Sequence, residues 1–238
     1  MAKANSLVGI EMLEHCIREE LNASADRRIC VKNPIKVVVT NYPEDKVEYF
    51  ELPNNPSVEG AGTRAVAFTR ELYIDESDFA EVPPPKFFRM KPEGEVRLMG
   101  AYIVKCNEII KNEDGSVKEI HCTADLETRN GNPIDGRKIK GTIHWLSAAY
   151  CEEATLMLYD NLFTIENTGD IPEDKTYNDY LNPNSLIKIE HCKVEPSLIE
   201  AKAGDKFQFV RDGYYCKDSK YENTFNRVVG LKDSFPKK

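Results

Sequence analysis

The sequence predicts a mainly all-β protein, with two antiparallel β-barrels that follow a single N-terminal α-helix. From Ile29 onward, short runs rich in Val, Ile, Tyr, Phe and Thr alternate with turn residues, which is the composition of strands in sandwiches and barrels. Helical periodicity is confined to the N-terminal stretch. The 238 residues contain more strands than one small barrel needs, whereas two barrels of roughly a hundred residues each match a common domain size.

The N-terminal stretch has the apolar spacing of an amphipathic helix. Apolar side chains recur every three or four residues, at Ile10, Leu13, Ile17 and Leu21. We predict a helix from about Val8 to Asn22, inside a connector of residues 1–26. Its apolar stripe needs a surface to pack on, which is either the β body or another part of a larger protein. Two isolated helical turns are expected later, at 76–79 and 176–181.

Ten segments after the helix have the composition of single strands or strand pairs. In order they are KVVVTNY, VEYFEL, RAVAFTRELYI, EVRLMGAYIVKCNEII, VKEIHCTAD, KIKGTIHWLSA, EATLMLYDNLF, SLIKIEHCKVEP, KFQFVR and GYYCKD. The turn Glu113–Ser116 predicts an antiparallel hairpin, because its glycine accepts the positive φ that such turns require. We assign residues 27–145 to the first barrel region and 146–238 to the second, with strands exchanged between them.

Charge and cysteine content restrict the functions that the chain can have. With 32 Lys and Arg against 40 Asp and Glu, the net charge is −8, so any RNA binding must rest on a few local contacts, and DNA is not an expected partner. Seven cysteines without a Cys-x-x-Cys pair predict reduced thiols and no metal site. No apolar run reaches the roughly 18 residues of a membrane span, and the N-terminus lacks a signal-peptide pattern, so a cytoplasmic protein without a membrane partner is expected.

The sequence contains no recognisable catalytic constellation. It has no Gly-rich phosphate loop and no Ser-His-Asp arrangement, and its four histidines are isolated from one another. We therefore predict no catalytic residue and no cofactor in this chain. His144 and Trp145, the only tryptophan, are interpreted as residues at the edge of a core.

Three clusters that combine cations with aromatic or apolar residues are the best candidates for RNA contacts. RNA sites pair cations for phosphates with aromatic and guanidinium planes, and each stacked base contributes about 1 to 3 kcal/mol. The alternative is that each cluster is the polar face of a strand beside a packed aromatic. The candidate contacts are Lys86, Arg89, Arg97, Arg137, Lys138 and Lys140.

These clusters belong to a longer series of distinctive motifs that covers almost the whole chain. The motifs include LEHCIREELN, ADRRICVKNPIKVVV, TRAVAFTRELYIDESDF, GEVRLMGAYIVKC, DGRKIKGTIHWLSAA, LNPNSL, FQFVRDGYYC and FNRVVGLKDSF. In this order they resemble the C-terminal anticodon-binding region of the glutaminyl-tRNA synthetase family. The resemblance implies two β-barrels of a ribosomal-protein type, one near the synthetase body and one distal, preceded by the helix that ends the helical subdomain.

The resemblance also implies partners and a division of labour. The partners are the anticodon loop of tRNA(Gln) and the N-terminal catalytic part of the same synthetase, an ATP-dependent ligase that attaches glutamine to its tRNA. ATP belongs to that catalytic part, which this sequence does not contain. The present chain is therefore expected to be inactive alone.

Carried over by position, the family's readers of the middle anticodon uridine are Arg27, Gln208 and Arg211. A glutamine donates to and accepts from one base edge, and an arginine offers a planar fork. In a regular strand Gln208 and Arg211 face opposite sides, so they converge only if the chain bends at the Asp212-Gly213 turn.

Two further family positions match the other anticodon bases. Arg89 matches the reader of the third base, a guanine, and Arg97 matches the contact to the first base. Phe88 and Met99 stand where the family often has cations, and Lys86 stands where glutamine is common. Arg27 and Arg28 are adjacent, so a one-residue slip exchanges their roles.

Two other functions remain open from the residues. The first is the anticodon-binding region of a related glutamyl-tRNA synthetase, although Gln208 with Arg211 favours glutamine. The second is a non-catalytic, ribosomal-type RNA-binding barrel, which predicts no preference among anticodons.

Overall fold

Two seven-stranded β-sheets dominate the computed structural model, which describes residues 9–232. One α-helix, α1, spans Ile10–Ser24. The strands are β1 (Asp26–Arg28), β2 (Cys30–Val31), β3 (Pro34–Val39), β4 (Glu48–Pro53), β5 (Thr63–Phe68), β6 (Glu71–Asp75), β7 (Glu95–Leu98), β8 (Ile103–Lys111), β9 (Val117–Asp125), β10 (Thr142–Ile143), β11 (Leu146–Ser147), β12 (Glu152–Tyr159), β13 (Leu186–Val194), β14 (Lys206–Phe209), β15 (Gly213–Lys217) and β16 (Thr224–Gly230). Short 3₁₀ helices span Glu76–Asp78, Leu126–Thr128, Thr168–Asp170, Tyr177–Tyr180 and Pro196–Leu198.

Each sheet forms a barrel-like body, which confirms the prediction of a mainly β fold with two barrels and one helix. The first sheet has the order β10-β7-β8-β9-β3-β6-β11, and the second has the order β1-β14-β15-β16-β12-β13-β2. A separate hairpin of β4 and β5 adds to the first barrel, because Phe50 and Phe68 from these strands lie in its core.

The two strands that directly follow the helix belong to the second barrel, although the strands of the first barrel come next in the sequence. Strands β1 and β2 precede all of the first barrel in sequence, yet they pair with β14 and β13 of the second sheet. The first sheet ends with β11, at Leu146–Ser147, so the predicted division between 145 and 146 falls just inside that sheet. The second barrel is therefore closed by residues from both ends of the described chain.

Both sheets are mixed rather than purely antiparallel. The four parallel pairs are β1 with β14, β3 with β9, β7 with β10, and β12 with β16. Some of the antiparallel pairs are set by short hairpin connections, such as the predicted and observed turn between β8 and β9, where Gly115 has a φ of 85°. The strands of the parallel pairs are far apart in sequence, so no hairpin sets their direction.

Three strands, the short β1 and β2 and the seven-residue β16, are absent from the sequence-based prediction, and β16 is the longest of them. Its segment TFNRVVG places Asn226 and Arg227 between the apolar residues, which breaks the alternation that identifies a half-buried strand. In the structure it lies between β15 and β12, in the middle of the second sheet. The isolated helical turns predicted at 76–79 and 176–181 are present as the 3₁₀ helices Glu76–Asp78 and Tyr177–Tyr180.

An aromatic cluster fills the first barrel. Phe50, Phe68, Tyr102 and Trp145 meet edge to face, with ring centroids 5.0 to 6.4 Å apart. The buried Trp145 indole N–H donates to the carbonyl of Met99 at 3.0 Å, so its polar atom is satisfied. His144 beside it is buried as well, at 7% exposure, whereas Trp145 lies fully inside the core rather than at its edge as predicted.

The helix packs on the β body only at its C-terminal end. Leu21 and Ile17 contact Tyr214 and Val229 of the second barrel, whereas Ile10, Met12 and Leu13 are more than half exposed. The predicted start at Val8 lies outside the described residues.

All seven cysteines are free thiols. Among residues 9–232, no helix has the length and apolarity to cross a membrane.

Candidate nucleic-acid interface

The parallel pairing of β1 with β14 brings two predicted site residues together. Arg27 lies directly opposite Gln208 in this pair. The Gln208 amide nitrogen donates to the Tyr214 hydroxyl at 3.2 Å, and Arg27 Nη2 donates to Ser57 Oγ at 2.9 Å. Two residues that are 181 positions apart in sequence thus become neighbours on one strand pair, although Gln208 itself is buried.

The neighbouring Arg28 is held inward by the protein itself. Its guanidinium donates to Asn54 Oδ1 at 3.1 Å and to Asp26 Oδ2 at 2.9 Å, and only 12% of its side chain is exposed. Arg27, whose side chain donates to the exposed hydroxyl of Ser57, is the more available of the two. This geometry favours the assignment of Arg27 rather than Arg28.

Arg211 occupies the bend that the sequence predicted between β14 and β15. The bend is at Arg211 itself, which has a φ of 66°, a left-handed conformation that L-residues rarely adopt. Its guanidinium fork donates to both oxygens of Asp78, with Nη1–Oδ2 and Nη2–Oδ1 distances of 2.7 and 2.8 Å. Arg211 therefore reaches into the first barrel, whereas Gln208 contacts Tyr214 in its own barrel.

Arg89 reaches the same carboxylate from the first barrel. Its Nη1 donates to the carbonyl of Ser77 at 2.7 Å and lies 3.3 Å from Asp78 Oδ1. The side chain of Asp78 is only 1% exposed. The predicted readers of the middle and third bases, Arg211 and Arg89, thus converge on one buried acid.

Two adjoining grooves are lined by most of the cationic residues that the sequence predicts as RNA contacts. The larger groove has a volume of about 520 Å³ and includes Lys86, Arg89, Lys140 and Arg211. The smaller, of about 260 Å³, shares Arg89 and Lys140 and adds Lys138. We call the two together the basic groove. It lies where the first barrel meets the turn between β14 and β15 of the second.

An exposed aromatic lies among these cations. The ring of Phe88 is half exposed, and Lys140 Nζ lies 5.4 Å from its centroid. Lys86, two residues earlier, has a left-handed φ of 63°, like Arg211 across the groove. The basic groove therefore offers both ammonium and guanidinium donors for phosphates and an aromatic face for a base.

Arg97 and Arg137 have different surroundings. Arg97 donates to the carbonyl of Gly131 and, at 3.2 Å, to Asn132 Oδ1, on the loop that follows the Leu126–Thr128 helix. Arg137 forms ion pairs with Asp125, Asp135 and Glu95 at 2.6, 2.8 and 3.1 Å, and hydrogen bonds to these carboxylates raise its pKa above the ordinary value. A phosphate at Arg137 would have to displace a carboxylate. Both residues stay predicted RNA contacts.

Two buried residues that lie behind the basic groove, Asp78 and His144, were not assigned to this site from the sequence. Asp78 was predicted only as part of a helical turn, since no pattern in one sequence shows that an acid is buried between two distant arginines. His144 lies behind it, with Nδ1 3.7 Å from Asp78 Oδ2. Burial lowers the pKa of His144, so the ring is neutral near pH 7 and adds no charge beside Asp78.

Comparison with known proteins identifies a family for the chain. Two family models, both described as "tRNA synthetases class I (E and Q), anti-codon binding domain", match residues 25–125 and 142–218. A glutamine–tRNA ligase of Clostridium perfringens is 50% identical over 241 residues, covering 99% of this chain and 43% of the relative. A glutamine–tRNA ligase of Bradyrhizobium diazoefficiens is 48% identical over 240 residues, covering 100% of this chain and 42% of the relative.

The chain spans less than half the length of the curated relatives it matches. The two family matches leave only residues 126–141 unmatched between them, the segment that connects β9 to β10. The chain therefore belongs to the anticodon-binding domain family of the class I glutamyl- and glutaminyl-tRNA synthetases.

Proposed function

We propose that this chain reads the anticodon of tRNA(Gln) as part of a glutamine–tRNA ligase. The observation that carries the proposal is the convergence of Arg211 and Arg89 on Asp78 at the wall of the basic groove. Arg27 and Gln208 lie together on the adjacent strand pair. Similarity to glutamine–tRNA ligases along the whole chain supports glutamine as the amino acid.

The energetics are consistent with recognition by a few side chains. A bidentate contact to a base discriminates by about 2 kcal/mol, so three such bases give roughly 6 kcal/mol, about four decades of affinity ratio if additive. A protein of net charge −8 repels RNA at long range, so the basic groove must offset that repulsion locally. Specificity then comes from base contacts rather than from overall charge.

In the same proposal, chemistry takes place outside this chain. The catalytic part of the same synthetase binds ATP and ligates glutamine, and the present chain contributes recognition without a cofactor of its own. In this proposal the protein acts in the cytoplasm, where its substrate tRNA is found. The incomplete coverage of the relatives supports this division, because more than half of their length lies beyond the matched region.

Binding to a panel of transcripts tests the proposal. The chain is titrated with fluorescent tRNA(Gln) transcripts that carry the native anticodon or one changed anticodon base, and with tRNA(Glu). We expect the native sequence to bind best and changes of the middle and third bases to cost about tenfold or more each. Arg211→Ala should abolish the middle-base preference, whereas Arg70→Ala, on a different groove, should not.

Two outcomes would replace the proposal. Equal affinity for every anticodon would favour a ribosomal-type RNA-binding barrel. Tighter binding to tRNA(Glu) than to tRNA(Gln) would favour the glutamyl-tRNA synthetase alternative. If Arg211→Ala left the middle-base preference intact while the native anticodon still bound best, the residue assignment would fail and the family assignment would stand.

A further inference from the structure

Asp78 is fixed in place by the backbone around it. It ends the 3₁₀ helix Glu76–Asp78, whose start is capped by Asp75, the acceptor for the Ser77 N–H at 3.0 Å. The carbonyl of Asp78 accepts the N–H of Met90 at 2.9 Å, which ties the helix to the segment that carries Arg89. The carboxylate therefore has little freedom to move toward solvent or away from its partners.

The carboxylate binds two guanidinium groups that come from different barrels. Arg211 donates to the two carboxylate oxygens of Asp78 from both terminal nitrogens. Arg89 Nη1 lies near one of the same oxygens and donates to the carbonyl of Ser77. A guanidinium has five N–H donors, so both arginines keep donors that the carboxylate does not use. Both side chains are also partly exposed, at 31% and 40%, toward the basic groove.

The charges of this trio explain why the arginines can lie together. Two guanidinium groups at one place repel each other, and the buried carboxylate between them offsets that repulsion. The neutral ring of His144 lies on the interior side of the carboxylate, with Nδ1 3.7 Å from Asp78 Oδ2. The left-handed backbone of Arg211 is a conformation that surrounding contacts must hold, and the fork on Asp78 supplies such a contact.

We infer that Asp78 is a positioning residue that couples recognition of the middle and third anticodon bases by holding Arg211 and Arg89 in one arrangement. This inference rests on the proposed function and adds a residue that touches no base itself. Loss of Asp78 is expected to weaken discrimination at both positions together, although neither arginine is altered. The two bases are therefore read as a unit rather than independently.

The test compares Asp78→Asn with a matched variant of another buried acid. Glu195 is also buried, also receives a bidentate arginine fork, from Arg64 at 2.6 Å, and also joins the two barrels, but it does not line the basic groove. Glu195→Gln therefore reports what loosening of the barrels does without touching Arg211 or Arg89. The full chain is titrated with transcripts changed at the middle or the third base, and urea unfolding is measured in parallel.

We expect Asp78→Asn to lose about tenfold of discrimination at both positions while Glu195→Gln keeps both. Unchanged discrimination in Asp78→Asn, or an equal loss in both variants, would overturn the inference and leave the proposed function standing. Wild-type protein without any anticodon preference would overturn the proposed function, and the inference with it.

A second measurement covers the case in which Asp78→Asn fails to fold. Arg211→Ala removes one partner of the carboxylate and leaves Arg89 as the other. If Asp78 couples the two arginines, this variant changes discrimination at the third base by severalfold as well as at the middle base. A loss confined to the middle base would show that the two arginines act independently and would refute the coupling.

Discussion

At the scale of single residues, the partners of a cation decide its availability more than its place in the sequence. Arg137 and Lys138 are adjacent in one basic cluster, yet Arg137 is surrounded by three carboxylates while Lys138 lines the basic groove. Arg27 and Arg28 differ in the same way, since Arg28 is bound by Asn54 and Asp26. Side-chain partners of this kind come from distant segments, so a single sequence does not reveal them.

A partly buried carboxylate in the first barrel, Glu48, leads to a prediction about acid stability. Glu48 accepts hydrogen bonds from Tyr102 at 2.6 Å and Tyr42 at 2.7 Å, and Lys46 Nζ lies 3.1 Å away. Burial alone raises its pKa, but these donors outweigh burial and lower the pKa to about 2, from an ordinary 4.5. The folded-state pKa is depressed, so this stabilisation is complete above about pH 4.5 and is lost as the pH falls toward 2.

We expect Tyr102→Phe to reduce the free energy of unfolding by about 1.5 kcal/mol at neutral pH, since it removes a hydrogen bond to a charged group. The difference between variant and wild type should shrink as the pH falls, because protonated Glu48 gains less from the hydroxyl. Urea unfolding of both proteins at a series of pH values measures this difference in the free energy of unfolding. A difference that stays constant over the whole acid range would show that Tyr102 does not stabilise the ionised carboxylate.

At the scale of elements, one glycine sets the spacing of the basic groove. Gly141 precedes β10, and its carbonyl accepts the N–H of Arg97 at 3.0 Å. A Cβ at this position would lie 1.6 Å from the carbonyl oxygen of Phe88, a distance that no side chain tolerates. Only glycine allows this close approach, so residue 141 fixes how near the strand lies to the segment that carries Phe88 and Arg89.

We therefore expect Gly141→Ala to displace that segment, to destabilise the protein by about 1 to 3 kcal/mol, and to weaken tRNA binding. Gly230→Ala is the control, because a Cβ there meets nothing within 4 Å and the residue is also in a strand. Urea unfolding and tRNA titration measure both variants. Equal stability and affinity of the two would contradict the proposed role of Gly141 in shaping the groove.

At the scale of the whole molecule, the barrels are joined by exchanged strands and by ion pairs. Strands β1 and β2 cross into the second sheet, the Arg64–Glu195 pair links β5 to the end of β13, and Arg211–Asp78 links the β14–β15 turn to the first barrel. Breaking a buried pair is costly because it leaves an uncompensated charge. The basic groove lies at this junction, so its shape depends on how the barrels are held together.

The contrast between a net charge of −8 and a local basic groove predicts how binding depends on salt. If about four cations of the groove neutralise phosphates of the single-stranded loop, the slope of log affinity against log salt is about −3. Lys140→Ala should reduce the magnitude of this slope by about 0.7. Arg137→Ala should change it less, because three carboxylates already neutralise that side chain.

Titrations of tRNA between low and moderate salt measure these slopes. A slope near zero would mean that phosphate contacts contribute little to binding. A reduction by Arg137→Ala as large as that by Lys140→Ala would show that Arg137 leaves its carboxylates to bind RNA, as the sequence alone suggested.

The sequence by itself determined the class of the fold and the chemical types at the site. Periodicity and composition identify α1, the β8–β9 hairpin and most of the strands, because these depend on neighbouring residues. Strand β16 was missed because polar residues interrupt its pattern, and β1 and β2 were missed because segments of three and two residues are too short to show one. The distinctive motifs identified the family, since their order along the chain needs no structure.

Only the tertiary structure decided which residues meet. The parallel β1–β14 pair that places Arg27 beside Gln208, and the acid that joins Arg89 to Arg211, both connect segments more than a hundred residues apart in the chain. Such contacts are set by how the barrels close on each other, and neither periodicity nor composition records that closure. Local sequence selects each element and each functional group, whereas long-range packing selects their partners.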